Sequence, residues 1–340
     1  MAFASCHPFE RPLDESIPTF RVHPGPGAGY FLGAADLRRR IEGWKPDILH
    51  VHYASGYSVL GRLSGFSPRL VSVYGQDIYS FPRRSPLHRS ILAYGLSGAA
   101  AVLSTSEAMA DEFLQVFPSA ERPAVTPFGV DIERFRPRTP GGARSRPFAF
   151  GIVKKLEDVY GIDILLRAFG IFRDRHPGEE AVLRIVGSGS RERDLKSLSR
   201  DLGLDAGGIF LGALPNSEVP AFLSDLDIFV VPSRMESFGV AAVEAQACGL
   251  PVIASDTGGL PEVVRDGSSG LIVPPEDPVA LADAMERLYR DPELRARMGS
   301  EARKNVERLY DWSRNVDAMI GIYGRAAAGR TGMSRGRTGC

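Results

Sequence analysis

Cysteine is scarce in this chain: Cys6, Cys248 and Cys340 are the three in 340 residues. They stand far apart with no C-x-x-C spacing, which argues against a disulfide framework or a zinc site and makes a reducing cytoplasm the expected compartment. Net charge is also missing, because 41 Lys and Arg balance 41 Asp and Glu. A dedicated nucleic-acid binder is usually basic, so no nucleic-acid partner is expected. Long apolar runs are absent as well. The most apolar stretch, Phe238–Ala254, is interrupted by Glu244, Gln246, Gly249 and Pro251, and nothing offers the roughly 20 apolar residues of a membrane span. The opening MAFASCHPFERP lacks a basic stretch followed by an apolar run, so no secretory leader is expected in it.

What is present is the balance of a soluble globular protein, 44% apolar and 24% charged, at a length suited to two domains. Short apolar runs read as strands: Asp47–His52, Leu70–Tyr74, Ala99–Ser104 and Ala124–Pro127, then Phe148–Val153, Ala181–Val186, Ile209–Leu211, Ile228–Val231, Val252–Ala254 and Leu271–Val273. Amphipathic helical patterns lie between them, which predicts α/β architecture with parallel sheets covered on both faces. The Pro-, Gly- and Arg-rich segment Arg136–Arg146 divides the two sets. The expected domains are residues 1–137 and 138–310, each a Rossmann-like doubly wound sheet. A helix over 311–323 is expected to pack back toward the first domain, and a disordered tail is expected from 324 to 340. Ligands of such sheets bind at strand C-terminal ends, in the cleft between two facing domains.

The run Pro232–Val264 carries the chemistry. A buried strand ends at Val231, a polar loop follows, and a helix starts near Ser237–Phe238. Free N–H groups at a helix start suit a phosphate. Glu236 sits in the loop and Glu244 about two helical turns on. Both can accept hydrogen bonds from hydroxyls on either side of that phosphate, and a nucleotide-sugar would satisfy all three features. GSGS (Gly187–Ser190) follows a strand but has Glu192 where a dinucleotide fingerprint ends in glycine. It reads as a tight turn bordering the nucleotide.

Glu236 and Glu244 in E-x7-E spacing, with SFG, EAQACGLPVIAS and TGGLPEVV, resemble the donor-site signature of family 4 glycosyltransferases. PFGVDIERFRP (Pro127–Pro137) resembles the segment closing the N-terminal domain, and KPDILHVHYASGY and YGQDIY resemble acceptor-side loops. The resemblance implies the GT-B fold and a retaining, metal-independent transfer from a UDP- or GDP-sugar to a sugar or lipid-linked acceptor, in polysaccharide or glycolipid synthesis. No cofactor or metal is implied. Glu236 would hold sugar hydroxyls and Glu244 the ribose, with Ser237, Phe238, Gly239 and Val240 supporting the sugar or diphosphate. His52 would face the reacting centre. His50 is expected on the opposite face of the strand, in a structural role. Lys155, with Lys154 beside it, falls at the position of a family arginine that neutralises the leaving diphosphate, with Gly187 nearby. Tyr53, Gly75, Gln76 and Asp77 are the acceptor-side candidates. Front-face attack is implied, with the departing phosphate oxygen taking the acceptor proton.

The chain departs from the family in two places. Val159 and Tyr160 stand where a second lysine is usual. The family's opening strand and Gly-rich loop are not evident, because Gly25–Gly29 contains Pro26 and follows no clear strand. Between Asp36 and Ser90, nine Lys or Arg face four acids, a basic patch suited to an anionic membrane surface. Peripheral attachment at the inner face follows as an expectation. Two rival functions are an isomerase or phosphorylase on the same fold, and a non-catalytic nucleotide-sugar-binding remnant.

Overall fold

The computed structural model describes residues 1–7, 16–23, 25, 29–137, 146–204 and 209–335. The chain forms two compact units, one from residues 1–126 with 317 onward, the other from Pro127–Val316. In the first unit β3 (Leu49–His52), β4 (Arg69–Ser72), β5 (Ala101–Ser104) and β6 (Ala124–Val125) make a parallel sheet in that order. Two shorter strands precede it, β1 (Phe3–Ser5) and β2 (Thr19–Arg21), paired parallel in a sheet of their own. The expectation that no strand precedes the early glycines is therefore corrected, since Gly25 follows β2; residues 26–28 lie outside the described ones. Strands of three residues leave too little apolar alternation to be read from sequence.

The second unit holds β7 (Phe148–Val153), β8 (Ala181–Val186), β9 (Phe210–Gly212), β10 (Ile228–Val231), β11 (Val252–Ser255) and β12 (Gly270–Val273). Their order is β12-β11-β10-β7-β8-β9, all parallel. Every residue of β10 and β11 is buried, as continuous apolar strands covered on both faces must be. The chain winds from β7 outward to β9, then returns to the other side of β7 as β10. That reversal opens a crevice at the C-terminal ends of β7 and β10, the position where doubly wound sheets take ligands.

Two boundaries differ from expectation. Pro127–Pro137 belongs to the second unit. Val130 N–H donates to the Tyr310 carbonyl at 2.8 Å, Trp312 N–H donates to the Val130 carbonyl at 3.0 Å, and Phe135 enters the core. The Arg303 guanidinium also binds the carbonyls of Ile132, Phe135 and Ala247 at 3.1, 2.7 and 2.8 Å. The helix expected over 311–323 runs from Trp312 to Arg335, which corrects the disordered reading of residues 324–335. Arg325–Ala328 supplies strong helix formers amid the glycines. Residues 336–340, and 138–145 of the expected interdomain boundary, lie outside the described residues.

Candidate active site

After β10 the chain turns through Pro232–Phe238 into the helix Val240–Ala247. Two glycines make that turn possible. Gly239, φ +105°, is the residue before the helix, and a Cβ there would meet Leu260 at 2.8 Å. Gly258, φ +51°, lies so close under the loop that a Cβ would sit 1.9 Å from the Glu236 carbonyl oxygen. The next N–H, of Gly259, donates to that same oxygen at 3.0 Å. From the other side Arg234 grips Asp163 with two bonds of 2.8 Å and the Asp158 carbonyl at 2.6 Å. Thr257 Oγ1 donates to the Arg234 carbonyl at 3.2 Å. The loop carrying Glu236 is thus held on both flanks before any ligand arrives.

The Glu236 carboxylate meets Lys154, which follows β7, at 2.5 Å, with both side chains largely buried. Lys154 also lies 4.6 Å over the Tyr160 ring, a cation–π contact that holds the ammonium by the negative face of the ring. Tyr160, which with Val159 stands where the resemblance leads one to expect a second lysine, is a partner of Lys154 that the sequence reading did not anticipate. Lys155 is exposed and is not brought to Glu236. Gly187, φ +146°, packs on this segment, where a Cβ would fall 1.8 Å from the Lys154 carbonyl oxygen. The GSGS turn therefore fixes the backbone from which Lys154 projects.

Glu244 lies on the helix after Gly239 and is half-buried. Burial pushes its carboxyl up to about 7, against the charges of Arg134 and Lys154. Phe238 is buried, packed edge-on against Phe128 and Tyr310 at 5.8 and 5.5 Å, which leaves its backbone as the group it can offer a ligand. Val240 is 40% exposed.

In the first unit β3 ends at His52, followed by Tyr53 with φ +77°. His52 Nδ1 lies 2.5 Å from the Tyr74 hydroxyl. The expectation for His50 is corrected. Residues two apart in a strand share a face, and the His50 and His52 rings lie 4.1 Å apart, Val51 being the residue that points away. Asp77 is also corrected. It is fully buried and accepts from the N–H groups of Ala54, Tyr74 and Gly75 at 2.9, 3.1 and 2.8 Å. It ties the loops after β3 and β4 together, so it does not present its carboxylate to an acceptor. Burial raises its carboxyl while those N–H groups oppose the rise. Gly75, φ +146°, is buried beside it, and Gln76 and Tyr53 are exposed. Of the basic patch, Arg69 is withdrawn from the surface and donates to the carbonyls of Gly95 and Ser97 at 2.8 and 2.9 Å.

The second unit is thus a doubly wound α/β sheet with a carboxylate loop and a lysine at its reversal point. Residues 134–305 match the model of the glycosyl transferases group 1 family, and residues 8–106 match a glycosyl transferase 4-like model. The chain belongs to the group 1 glycosyl transferases and is a glycosyltransferase of the GT-B fold. It is 31% identical to a D-inositol 3-phosphate glycosyltransferase of Corynebacterium jeikeium over 93% of this chain and 79% of that protein. It is 38% identical to a protein of the same name from Acidothermus cellulolyticus, over 62% of this chain and 49% of that one. The match thus spans about half the length of some relatives. Similar solved structures include sucrose-phosphate synthase of Thermosynechococcus elongatus, with TM-score 0.78, 23% identity and coverage of 97% of this chain and 89% of that one. Another is HepE of Anabaena in complex with UDP, with TM-score 0.77, 21% identity and 91% and 86% coverage.

Proposed function

We propose that this chain transfers a sugar, with retention and without a metal, from a UDP- or GDP-sugar to an acceptor hydroxyl in cell-surface polysaccharide or glycolipid synthesis. The observation that carries the reading is the Lys154–Glu236 pair at the β7/β10 reversal, with the half-buried Glu244 on the helix that follows. Glu236 accepts hydrogen bonds from the sugar and Glu244 from the ribose. Lys154 and the N–H groups of Gly239 and Val240 face the diphosphate, where charge gathers as the bond breaks. The anomeric carbon loses its bond to the phosphate oxygen and gains one to the acceptor oxygen on the same face. The acceptor proton passes to the departing phosphate. His52 is the first unit's candidate for the reacting centre, and Tyr53 and Gln76 are its candidates for the acceptor.

The relatives' name makes D-inositol 3-phosphate the first acceptor to try, and the UDP complex of HepE makes UDP-sugars the first donors. The buried free thiols of Cys6 and Cys248 suit a reducing cytoplasm. The exposed Arg39, Lys45, Arg62, Arg83 and Arg84 suit attachment to an anionic inner membrane face. No helix among the described residues is long and apolar enough to cross a membrane. The test is binding and turnover of UDP-, GDP- and ADP-sugars in EDTA by the wild type and Glu236→Ala. Selective binding with nucleotide release, lost in the variant, is the expected result. No binding to any of them overturns the reading.

A further inference from the structure

We propose that Tyr323, on the helix Trp312–Arg335, is a positioning residue for His52 and acts through His50; this rests on the reading of His52 given above. The Tyr323 hydroxyl lies 2.7 Å from His50 Nδ1, and the Ser72 hydroxyl lies 2.8 Å from His50 Nε2. A neutral imidazole has one N–H and one lone pair, so His50 donates to one of these hydroxyls and accepts from the other. Burial, and secondarily the neighbouring His52, push His50 down to about 3, which keeps it neutral at working pH. Two in-plane bonds on opposite sides of a ring fix its plane. The Tyr323 ring also meets the His50 ring edge-on at 5.5 Å and 74°.

The fixed ring is what His52 rests on. The two imidazoles are 4.1 Å apart. His52 itself is at the exposed rim of β3, and Tyr74 holds it by a hydrogen bond at Nδ1, 2.5 Å long, with the two rings parallel at 5.9 Å. Both of these contacts come from Tyr74, so the imidazole can still rock with that one side chain. The His50 face supplies an independent constraint on the His52 ring from a second residue. A residue 273 positions along the chain thereby sets the angle of a side chain at the end of β3.

The experiment is a double-mutant cycle on transfer from the donor that binds, with Tyr323→Phe, His52→Ala and the double variant, together with imidazole ¹⁵N spectra of the wild type and Tyr323→Phe. Tyr323→Phe keeps the edge-on ring and deletes one hydroxyl. The expected result is a kcat about fivefold lower, the loss typical of one neutral hydrogen bond, with donor KM unchanged and shifted His50 and His52 nitrogen signals. In the His52→Ala background the same change should cost nothing further, because its route of action is gone. An additive loss, or unshifted nitrogen signals, overturns the proposal. If His52→Ala is impaired and Tyr323→Phe is not, the proposal alone falls. If His52→Ala turns over normally, the placement of His52 at the reacting centre fails and takes the proposal with it.

Discussion

Replacing Glu244 by Gln should move stability and ligand affinity in opposite directions. In the folded chain burial raises this carboxyl from 4.5 to about 7. Above pH 7 the folded state therefore holds a charge that burial disfavours. Between pH 7 and 4.5 the folded state binds a proton that the unfolded chain does not, so stability rises as pH falls through that window. Worked through for the two values, the wild type gains about 2.5 kcal/mol from this one group between pH 8 and pH 5. Gln cannot titrate and shows no such gain. The variant should therefore be more stable than the wild type by about that amount at pH 8, and the two should converge near pH 5. For a folding unit of this size the difference is about 5–10 °C in Tm. The same change removes one acceptor from the pair expected to hold the ribose hydroxyls, which should weaken UDP binding by about 1–3 kcal/mol. Thermal unfolding of both proteins at pH 5 and pH 8, with UDP titrations by calorimetry at pH 8, reads both effects. Parallel pH–stability curves would show that folding does not desolvate Glu244. Equal UDP affinity would remove the residue from the donor site.

Glu236→Ala should abolish transfer and leave the unfolding free energy within about 1 kcal/mol of wild type, because the residue is in a loop anchored by its backbone; wild-type turnover would refute its role. Gly258→Ala puts a Cβ 1.9 Å from the Glu236 carbonyl oxygen at positive φ. It should cost about 1–3 kcal/mol of stability and reduce kcat through the displaced loop, so an active variant with wild-type Tm would contradict the packing. Asp77→Ala strands the N–H groups of Ala54, Tyr74 and Gly75 and should destabilise the first unit by about 3 kcal/mol. Hydrogen exchange at those three amides checks it: they should exchange faster while the amides of β10 do not. Lys154→Met should raise donor KM and reduce kcat more than Lys155→Met does, and equal effects would remove the distinction between a lysine paired with Glu236 and an exposed one.

Long buried strands were legible because a parallel sheet covered on both faces writes itself as an apolar run. Phe148–Val153, Ala181–Val186 and Ile228–Val231 match their expected limits residue for residue. β1 and β2 were not, because three residues cannot establish a period of two. Local motifs located the loop after β10 with Glu236 and the helix after it with Glu244. What sequence left open was partnership across distance. Lys154 and Lys155 are equivalent as letters, and only the backbone turn set by Gly187 decides which one meets Glu236. Arg69 and Asp77 counted as surface charges until the fold buried both and filled their hydrogen-bonding capacity with backbone groups. The misplacement of His50 was different in kind, since the strand period already put it on the face of His52.

These partnerships share a physical logic that bears on where the unit tolerates change. The loop bearing Glu236 contributes few apolar side chains to the core apart from Phe238, so hydrophobic burial alone does not determine its shape. Its shape comes from three sources instead: a glycine whose missing Cβ lets Gly258 lie against the Glu236 carbonyl, an arginine held by Asp163, and a helix entered through Gly239. Each fixes backbone and leaves the Glu236 carboxylate to Lys154. A site organised in this way binds with little ordering cost, because the conformational entropy of the loop is lost at folding and not at binding. Substitutions that loosen the frame, such as Arg234→Ala, should therefore weaken donor binding through entropy. The calorimetric signature is a donor-binding entropy less favourable than that of the wild type, with the enthalpy little changed. An enthalpic loss would instead place Arg234 in direct contact with the ligand and contradict its role as part of the frame.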